Sequence, residues 1–288
     1  MSKQARMFLE LGKARISLLA TITTVAGFVL AEGGVTWTLL WVTIGVFLLA
    51  SGASGFNQIQ ERDIDALMER THARPLPSHR MSLTVAVAAS VLAVVGGALI
   101  VLAGAGVTAA VLGLVAVGWY NGVYTPLKRV TAFAAVPGGV VGAIPPVIGW
   151  VAGGGAVLDP RIASVAFFFF MWQVPHFWLL LLFSCGRDYE KAGLPSLTRT
   201  FSMAQISRVT FMWILGTVTA SVLIPLFGLV EEPWVVAGFF VAGAWLVWRS
   251  TRILRARDGA IGFRQAFGNV NAYAVWVVCL LSLGGFLR

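Results

Sequence analysis

The feature that most constrains this fold is a series of long stretches without a single Asp, Glu, Lys or Arg. A helix needs about 20 mostly apolar residues to cross a bilayer. Only 11% of the 288 residues are charged, against roughly a quarter in soluble domains. The sequence therefore predicts a membrane protein whose spans fall within the uncharged stretches 16–31, 33–60, 81–127, 130–158, 162–186, 209–230, 233–248 and 265–287.

The stretch 81–127 is too long for one span. It contains Ala103-Gly104-Ala105-Gly106, a small-residue cluster typical of a turn, and dividing it there gives nine helices in the chain.

The sequence shows no alternating strand pattern, and in lipid the backbone polar groups must be bonded within each segment. The first stretch lacks the cleavage pattern of a signal peptide and counts as the first span. We expect one all-α domain over 1–288, with the helices bundled around a central cavity.

The net charge of +9 is distributed in a way that indicates membrane orientation rather than binding of nucleic acid. If alternate connections face the cytoplasm, those connections hold every Lys and Arg except Arg161 and Arg288. This satisfies the positive-inside rule with a cytoplasmic N-terminus. We expect a multi-pass protein of a bacterial inner membrane, with the lipid bilayer as a partner and no nucleic acid.

The connection 57–80 carries the strongest chemical pattern. Asn57, Glu61 and Asp65 recur at every fourth position, so on a helix they fall within an arc of about 80°. Clustered carboxylates at a membrane boundary need cations. Mg²⁺ prefers one or two carboxylates, with water and substrate phosphate completing its shell. The pattern predicts that these three residues bind Mg²⁺ and act in catalysis on a diphosphate.

The connection 186–208 gives a weaker signal. Asp188 is a candidate further metal ligand and catalytic acid, and its neighbours Arg187 and Lys191 are candidate substrate contacts. Pairing of these charges with one another explains the segment equally well. In the first connection, Asp63 points away from the other acids and is a candidate partner for a base.

Further candidate substrate contacts follow from charge and from membrane depth. Arg and Lys bind phosphate oxygens, Arg through bidentate pairs, and polar or aromatic groups within spans mark functional positions. The cysteines, Cys185 and Cys279, lack metal or redox spacing and receive no role. The candidates are Arg62, Arg70, Arg74, Lys128 and Arg129 for phosphate, and Tyr120, Asn121, Tyr124, Trp172 and His176 for the remainder of the substrates.

Several of these segments together resemble the UbiA-type intramembrane prenyltransferases. The first motif of that family is an Asn followed by acids at the fourth and eighth positions, and Asn57, Glu61 and Asp65 match it, with Glu where the family usually has Asp. The protoheme IX farnesyltransferase branch is the most similar. That similarity lies in Arg62–Thr71 with Arg74-Pro75-Leu76, in Gly142–Trp150, in Pro175-His176-Phe177-Trp178, and in Asp188-Tyr189 with Ala192–Pro195.

The resemblance implies farnesyl diphosphate as donor, haem B as acceptor, haem O as product and Mg²⁺ as cofactor. It also makes an association with haem A synthase or terminal oxidase biogenesis an expectation. Two alternatives stay open: a prenyltransferase acting on a quinone precursor or another aromatic acceptor, and a transporter of an anion or divalent cation. Because the acids lie at span ends on one side, the sequence favours an enzyme over a transporter.

Overall fold

The computed structural model describes residues 2–255 and 259–286, and over these ranges its regular structure is helical throughout. Within them, the side chains of Cys185, Arg187, residues 259–261 and Phe286 lie outside the description. The prediction of an all-α fold is confirmed. In chain order the helices are α1 (Lys3–Leu11), α2 (Ala14–Glu32), α3 (Trp37–Gln60), α4 (Arg62–Asp65), α5 (Leu83–Gly118), α6 (Thr125–Leu127), α7 (Ala135–Ala152), α8 (Pro160–Leu180), α9 (Gly186–Lys191), α10 (Leu197–Thr200), α11 (Met203–Leu226), α12 (Pro233–Arg255) and α13 (Gly259–Phe286).

The longest apolar helical stretch, Leu83–Leu127, doubles back on itself. As a straight rod its 45 residues would reach about 67 Å, more than twice the roughly 30 Å of a hydrocarbon core. The helix breaks at Gly106, whose φ of 84° and ψ of 179° are not helical. Gly97 and Gly113, on opposite sides of the break, both lie against Leu49 of α3. Eight long apolar helices are found in the described residues, and dividing this one gives the nine predicted spans.

The outer surface of the bundle is apolar. Large side chains such as Leu92, Val241 and Trp248 are 72%, 68% and 63% exposed. A soluble protein rarely leaves such extensive apolar surface open to water. The chain is therefore a multi-pass integral membrane protein.

Helices α2 and α7 cross in direct backbone contact. A Cβ atom on Gly27 would lie 1.9 Å from the carbonyl oxygen of Pro146, and one on Gly149 would lie 1.8 Å from that of Thr24. A side chain at either position would push the two helices apart, and small residues are what allow membrane helices to pack this closely. The crossing fixes α7 against the first span.

Two buried apolar clusters fill the bundle. The larger joins α8, α11, α12 and α13 around residues such as Phe168, Trp178 and Phe239. The smaller joins α2, α3, α5 and α7 beneath the cavity described below, and we call it the floor cluster. Its members are Phe28, Leu39, Val42, Val46, Leu49, Val101, Ala109, Ala110 and Ile148.

A short helix, α1, precedes the first span and was not predicted. Its Leu11 packs against Leu76 and Met81 of the connection between α3 and α5. The side-chain amide of Gln58 donates hydrogen bonds to the carbonyls of Glu10 (2.7 Å) and Leu11 (2.9 Å). The C-terminal end of α1 is thereby fastened to the end of α3, which carries Asn57 and is followed directly by Glu61.

The helix crossing provides a stability test. Gly149→Ala should lower the unfolding free energy by about 1–3 kcal/mol, because the added methyl group overpacks the α2–α7 contact. Thermal unfolding of the purified protein in detergent would show this as a lower Tm. Gly96→Ala is the matched control, since a Cβ there meets nothing within 4 Å. Equal Tm values for the two variants would contradict the close crossing.

Candidate active site

A cavity of about 260 Å³ lies among α2, α3, the second half of α5, α7 and α8. Its lining changes along its length from apolar to charged. Small and aliphatic side chains of α3, α5 and α7 form the apolar part. The described charged residues of its lining are four cations and two acids, namely Lys13, Arg70, Arg74, Lys128, Glu61 and Asp65.

The two acids keep their helical spacing although α3 ends before the first of them. Glu61 has φ −101° and ψ 7°, outside the helical range. Its amide still donates to the carbonyl of Asn57 (3.0 Å), and the amide of Asp65 donates to the carbonyl of Glu61 (2.7 Å). The three residues therefore follow one another at one-turn intervals, as the fourfold spacing predicted.

Each acid has a cationic partner within the cavity. A guanidinium nitrogen of Arg74 lies 2.6 Å from Oδ2 of Asp65, and the ammonium of Lys128 pairs with Glu61. Both carboxylates are largely buried, and a buried charge is tolerated only when it is paired. The second oxygen of Asp65, Oδ1, is buried and accepts no hydrogen bond from the described residues. That oxygen keeps its full capacity to bind a cation.

Asn57 is fully buried beside the acids, and both ends of its amide are engaged. Its Nδ2 donates to the hydroxyl of Thr125 (3.0 Å), and that hydroxyl donates to the carbonyl of Tyr120 (2.9 Å). The Oδ1 atom accepts a hydrogen bond from the ammonium of Lys13. Asn57 thus joins the end of α3 to the α5–α6 segment and to the start of α2.

Lys13 is a site residue that the sequence did not reveal. From the sequence its charge indicated only orientation, although its position after Gly12, between an amphipathic segment and the first span, marks a chain break. Its backbone is left-handed, with φ 46°, a conformation that costs a residue with a Cβ about 1–2 kcal/mol. Such strain clusters at functional sites. The turn aims the lysine side chain into the cavity.

The pKa of Lys13 is lowered from 10.5 to about 7, mainly by burial and also by the positive charges of Arg74 and Lys128, while Glu61 and Asp65 partly oppose the shift. An anion bound in the cavity would favour the protonated form of the lysine. The charged end is therefore suited to a negatively charged ligand.

Two tyrosines form an aromatic wall next to the charged end. Tyr120 and Tyr124 stack with their ring centroids 5.7 Å apart, and Tyr124 also contacts Phe177 of α8. The ammonium of Lys128 lies 4.9 Å from the centre of the Tyr124 ring. The π-helical stretch Trp119–Tyr124 carries both tyrosines, and such irregular turns are frequent at functional sites.

Other predicted residues near the acids lie outside the described lining. Asp63 pairs with Arg129 at 2.9 Å on the protein surface, and this hydrogen-bonded pair lowers the pKa of Asp63. Asp188 is buried and accepts hydrogen bonds from the backbone amides of Glu69 and Arg70, each at 3.3 Å. In this arrangement Asp188 connects α9 to the loop that follows α4, and its role as a metal ligand stays a prediction.

The remaining candidates are dispersed. Arg62 is exposed, and Lys191 lies 4.0 Å from Glu69 at the surface. Asn121 donates to the carbonyl of Val117. The Arg187 side chain falls outside the described residues.

His176 and Trp172 face α13 rather than the cavity. Nδ1 of His176 lies 2.6 Å from Oδ1 of Asn271, and the Trp172 indole donates to the carbonyl of Val270 (3.2 Å). The imidazole is enclosed by the rings of Trp172 and Phe267. Both side chains therefore join α8 to α13, and a role in substrate binding stays a prediction.

The sequence matches the UbiA prenyltransferase family over residues 20–283. This chain belongs to that family. Two bacterial relatives, each named protoheme IX farnesyltransferase, cover most of its length. The relative from Geobacter sulfurreducens is 46% identical over 237 residues, which are 81% of this chain and 86% of the relative. The relative from Nitratidesulfovibrio vulgaris strain DP4 is 36% identical over 271 residues, 93% and 92% of the two chains. The prediction of a UbiA-type prenyltransferase, most similar to this branch, is confirmed.

Solved structures of UbiA-type proteins share the fold. A digeranylgeranylglyceryl phosphate synthase structure superposes with a TM-score of 0.82 over 100% of both chains, at 15% identity. A UbiA homologue from Archaeoglobus fulgidus, bound to GPP and Mg²⁺, gives a TM-score of 0.63 over 96% of this chain and 99% of that one, also at 15% identity. The bundle is therefore the fold of the UbiA prenyltransferases.

The charged end of the prenyltransferase cavity has a donor set that fits Mg²⁺. The free Oδ1 of Asp65 and the carboxylate of Glu61 are hard oxygen donors in one cavity. Within the described residues, no three His, Cys, Asp or Glu side chains form a metal cluster of their own. Mg²⁺ does not require one, because it is usually bound by one or two carboxylates together with water and substrate phosphate.

The ion pair between Asp65 and Arg74 can be tested by unfolding. Arg74→Met should lower stability by about 3–5 kcal/mol, because it leaves the Asp65 carboxylate buried and unpaired. Thermal unfolding of Arg74→Met, and of the double variant with Asp65→Asn, should show recovery in the double variant. Arg129→Met is the control, since the Asp63 that it leaves unpaired is exposed. If Arg74→Met and the double variant unfold at the same temperature, the proposed pairing of Arg74 with Asp65 is contradicted.

Proposed function

We propose that this prenyltransferase transfers the farnesyl group of farnesyl diphosphate to haem B, forming haem O. The observation that carries the proposal is a single cavity with two acids and four cations at one end and an apolar wall at the other. Such a cavity suits a ligand with an anionic head and a hydrocarbon tail. The names of the relatives support farnesyl as the tail and haem as the acceptor.

The charged end is proposed to hold the diphosphate. Glu61 and Asp65 would bind Mg²⁺, with Asn57 beside them. Lys13, Arg70, Arg74 and Lys128 would neutralise the phosphate oxygens, the arginines through two parallel hydrogen bonds. The excess of cations over acids in this lining supports an anionic ligand.

The reaction breaks the bond between C1 of the prenyl chain and the diphosphate oxygen, and the leaving group takes the electron pair. Mg²⁺, when bound, would stabilise the negative charge that develops on the diphosphate. Lys128 adds positive charge beside it, and so does Lys13 in the protonated form that the bound anion would favour. The faces of Tyr120 and Tyr124 would stabilise the allylic cation. The surrounding helices would keep water from the allylic cation until a vinyl carbon of haem B forms the new bond to C1. A water molecule would then add to the cation left on the neighbouring vinyl carbon and release a proton, which gives the hydroxyethylfarnesyl group of haem O.

The charged end is proposed to face the cytoplasm. The charged lining residues lie before α2, in the connection after α3, or directly after α6. These are the connections that the positive-inside rule assigns to the cytoplasm. We further propose that the chain acts as one domain, in an inner membrane, because residues of α2, α3, α4, α5, α7, α8 and α9 all line one cavity. An association with haem A synthase stays a prediction.

No observation in the described residues favours either alternative, a transporter or a prenyltransferase acting on a quinone precursor or another aromatic. The apolar end of the cavity abuts the floor cluster, which does not suit a transport path through the bilayer. The named relatives are farnesyltransferases of protoheme, and this favours haem over a quinone precursor. Incubation of labelled farnesyl diphosphate with each acceptor, followed by mass spectrometry of the products, would separate the two acceptors.

Asp65 and Asp63 form a matched pair of acids on α4. Asp65→Asn should reduce formation of prenylated haem from haem B and farnesyl diphosphate by about 100-fold or more, the loss typical of a group that stabilises transition-state charge. Asp63→Asn should stay within a few-fold of wild type, since Asp63 pairs with Arg129 at the surface. Product mass from purified protein with Mg²⁺ is the measurement. Near-normal turnover by Asp65→Asn would refute the assigned role.

A further inference from the structure

Three helices close the apolar end of the cavity. Val46 of α3, Gly113 of α5 and Ile148 of α7 line the cavity there. Val46 and Ile148 are 3% and 2% exposed and also belong to the floor cluster. Val42, one turn beyond Val46, is fully buried in the same cluster. The cavity thus ends against packed side chains.

Two of these helices run side by side in the same direction from the floor to the charged end. Near the floor, Leu49 of α3 lies against Gly113 of α5. Closer to the charged end, Asn57 of α3 bonds to Thr125, which follows the π-helical stretch after α5. Val46 lies fifteen positions before Glu61, and Gly113 lies fifteen before Lys128. With a rise of about 1.5 Å per residue, the fifteen residues of each segment span about 22 Å from the floor to the charged end.

That length corresponds to a particular prenyl chain. An isoprene unit adds four carbon–carbon bonds of about 1.5 Å, or about 5 Å when extended. Three units and a diphosphate, itself about the length of one unit, come to about 20 Å. Two units and a diphosphate would end about 7 Å short of the floor, and four units would need about 3 Å more than the cavity provides.

We infer that the floor formed by Val46, Gly113 and Ile148 sets the length of the prenyl donor, so that fifteen-carbon chains are preferred over those of ten and twenty. The inference rests on the proposed function, because it takes the charged end as the diphosphate site. It assigns donor selectivity to residues far from the reacting atoms.

Removing carbon from the floor should lengthen the preferred donor. Val46→Ala and Ile148→Ala together remove five carbons, as many as one isoprene unit contains. The double variant should raise the kcat/KM ratio of the twenty-carbon to the fifteen-carbon diphosphate at least tenfold. The matched control is Ile224→Ala with Val277→Ala, the same two changes at fully buried positions of α11 and α13. The control should keep the wild-type ratio.

Adding carbon above the floor should shorten the preferred donor. Ala50 lines the cavity one turn closer to the charges than Val46, and one turn is about 5.4 Å. Ala50→Leu should raise the ratio of the ten-carbon to the fifteen-carbon diphosphate at least tenfold. This variant removes no packing, so it tests the inference even where the double variant is too unstable to purify.

The affinities of the ten-, fifteen- and twenty-carbon prenyl thiodiphosphates, with Mg²⁺, should be measured beside turnover. If wild type binds them with a fifteen-carbon preference but leaves haem unprenylated, the acceptor assignment fails and the floor assignment stands. If wild type turns over but both variants keep its ratios, the floor assignment fails and the proposed function stands. An equal shift in the control, or variants inactive on every donor, would also overturn the floor assignment.

Discussion

The structure depends on the neutralisation of two carboxylates at the edge of the membrane. Glu61 and Asp65 are largely buried, and neither charge could be held there without Lys128 and Arg74. An unpaired buried charge costs several kcal/mol and would protonate or drive the helices apart. The pairs also connect α4 to the end of α6 and to the following loop. The ion pairs that neutralise the two buried acids therefore also hold the segments of the site together.

The rest of the fold places an apolar cavity next to these charges. The reversal at Gly106 brings the second half of α5 alongside α3, and the crossing of α2 and α7 at Gly27 and Gly149 fixes the opposite wall. Between them lies a cavity that is charged at one end and closed by the floor cluster at the other. An amphiphilic donor would be oriented by this gradient alone, with its diphosphate among the cations and its chain against the floor.

The sequence predicted the features that depend on local periodicity. Uncharged stretches located the spans, and the fourfold spacing of Asn57, Glu61 and Asp65 identified neighbouring groups on successive turns. Features that depend on contacts between distant segments were beyond it. The bond of Lys13 to Asn57 and that of Gln58 to the carbonyl of Glu10 join residues more than forty positions apart, and the bonds of Asp188 to the amides after α4 require the tertiary fold. Helical periodicity predicts none of these contacts, because each joins segments that are far apart in the sequence.

The central claim is that the acids hold the metal, the neighbouring cations hold the diphosphate and the apolar part of the cavity holds the chain. It is tested most directly by a crystal structure with farnesyl thiodiphosphate and Mn²⁺, located by its anomalous scattering. The account predicts a Mn²⁺ peak at the carboxylates of Glu61 and Asp65, phosphate oxygens against Lys13 and Arg74, and a chain that ends at Val46. A metal peak away from both carboxylates, or a chain lying outside the cavity, would contradict it.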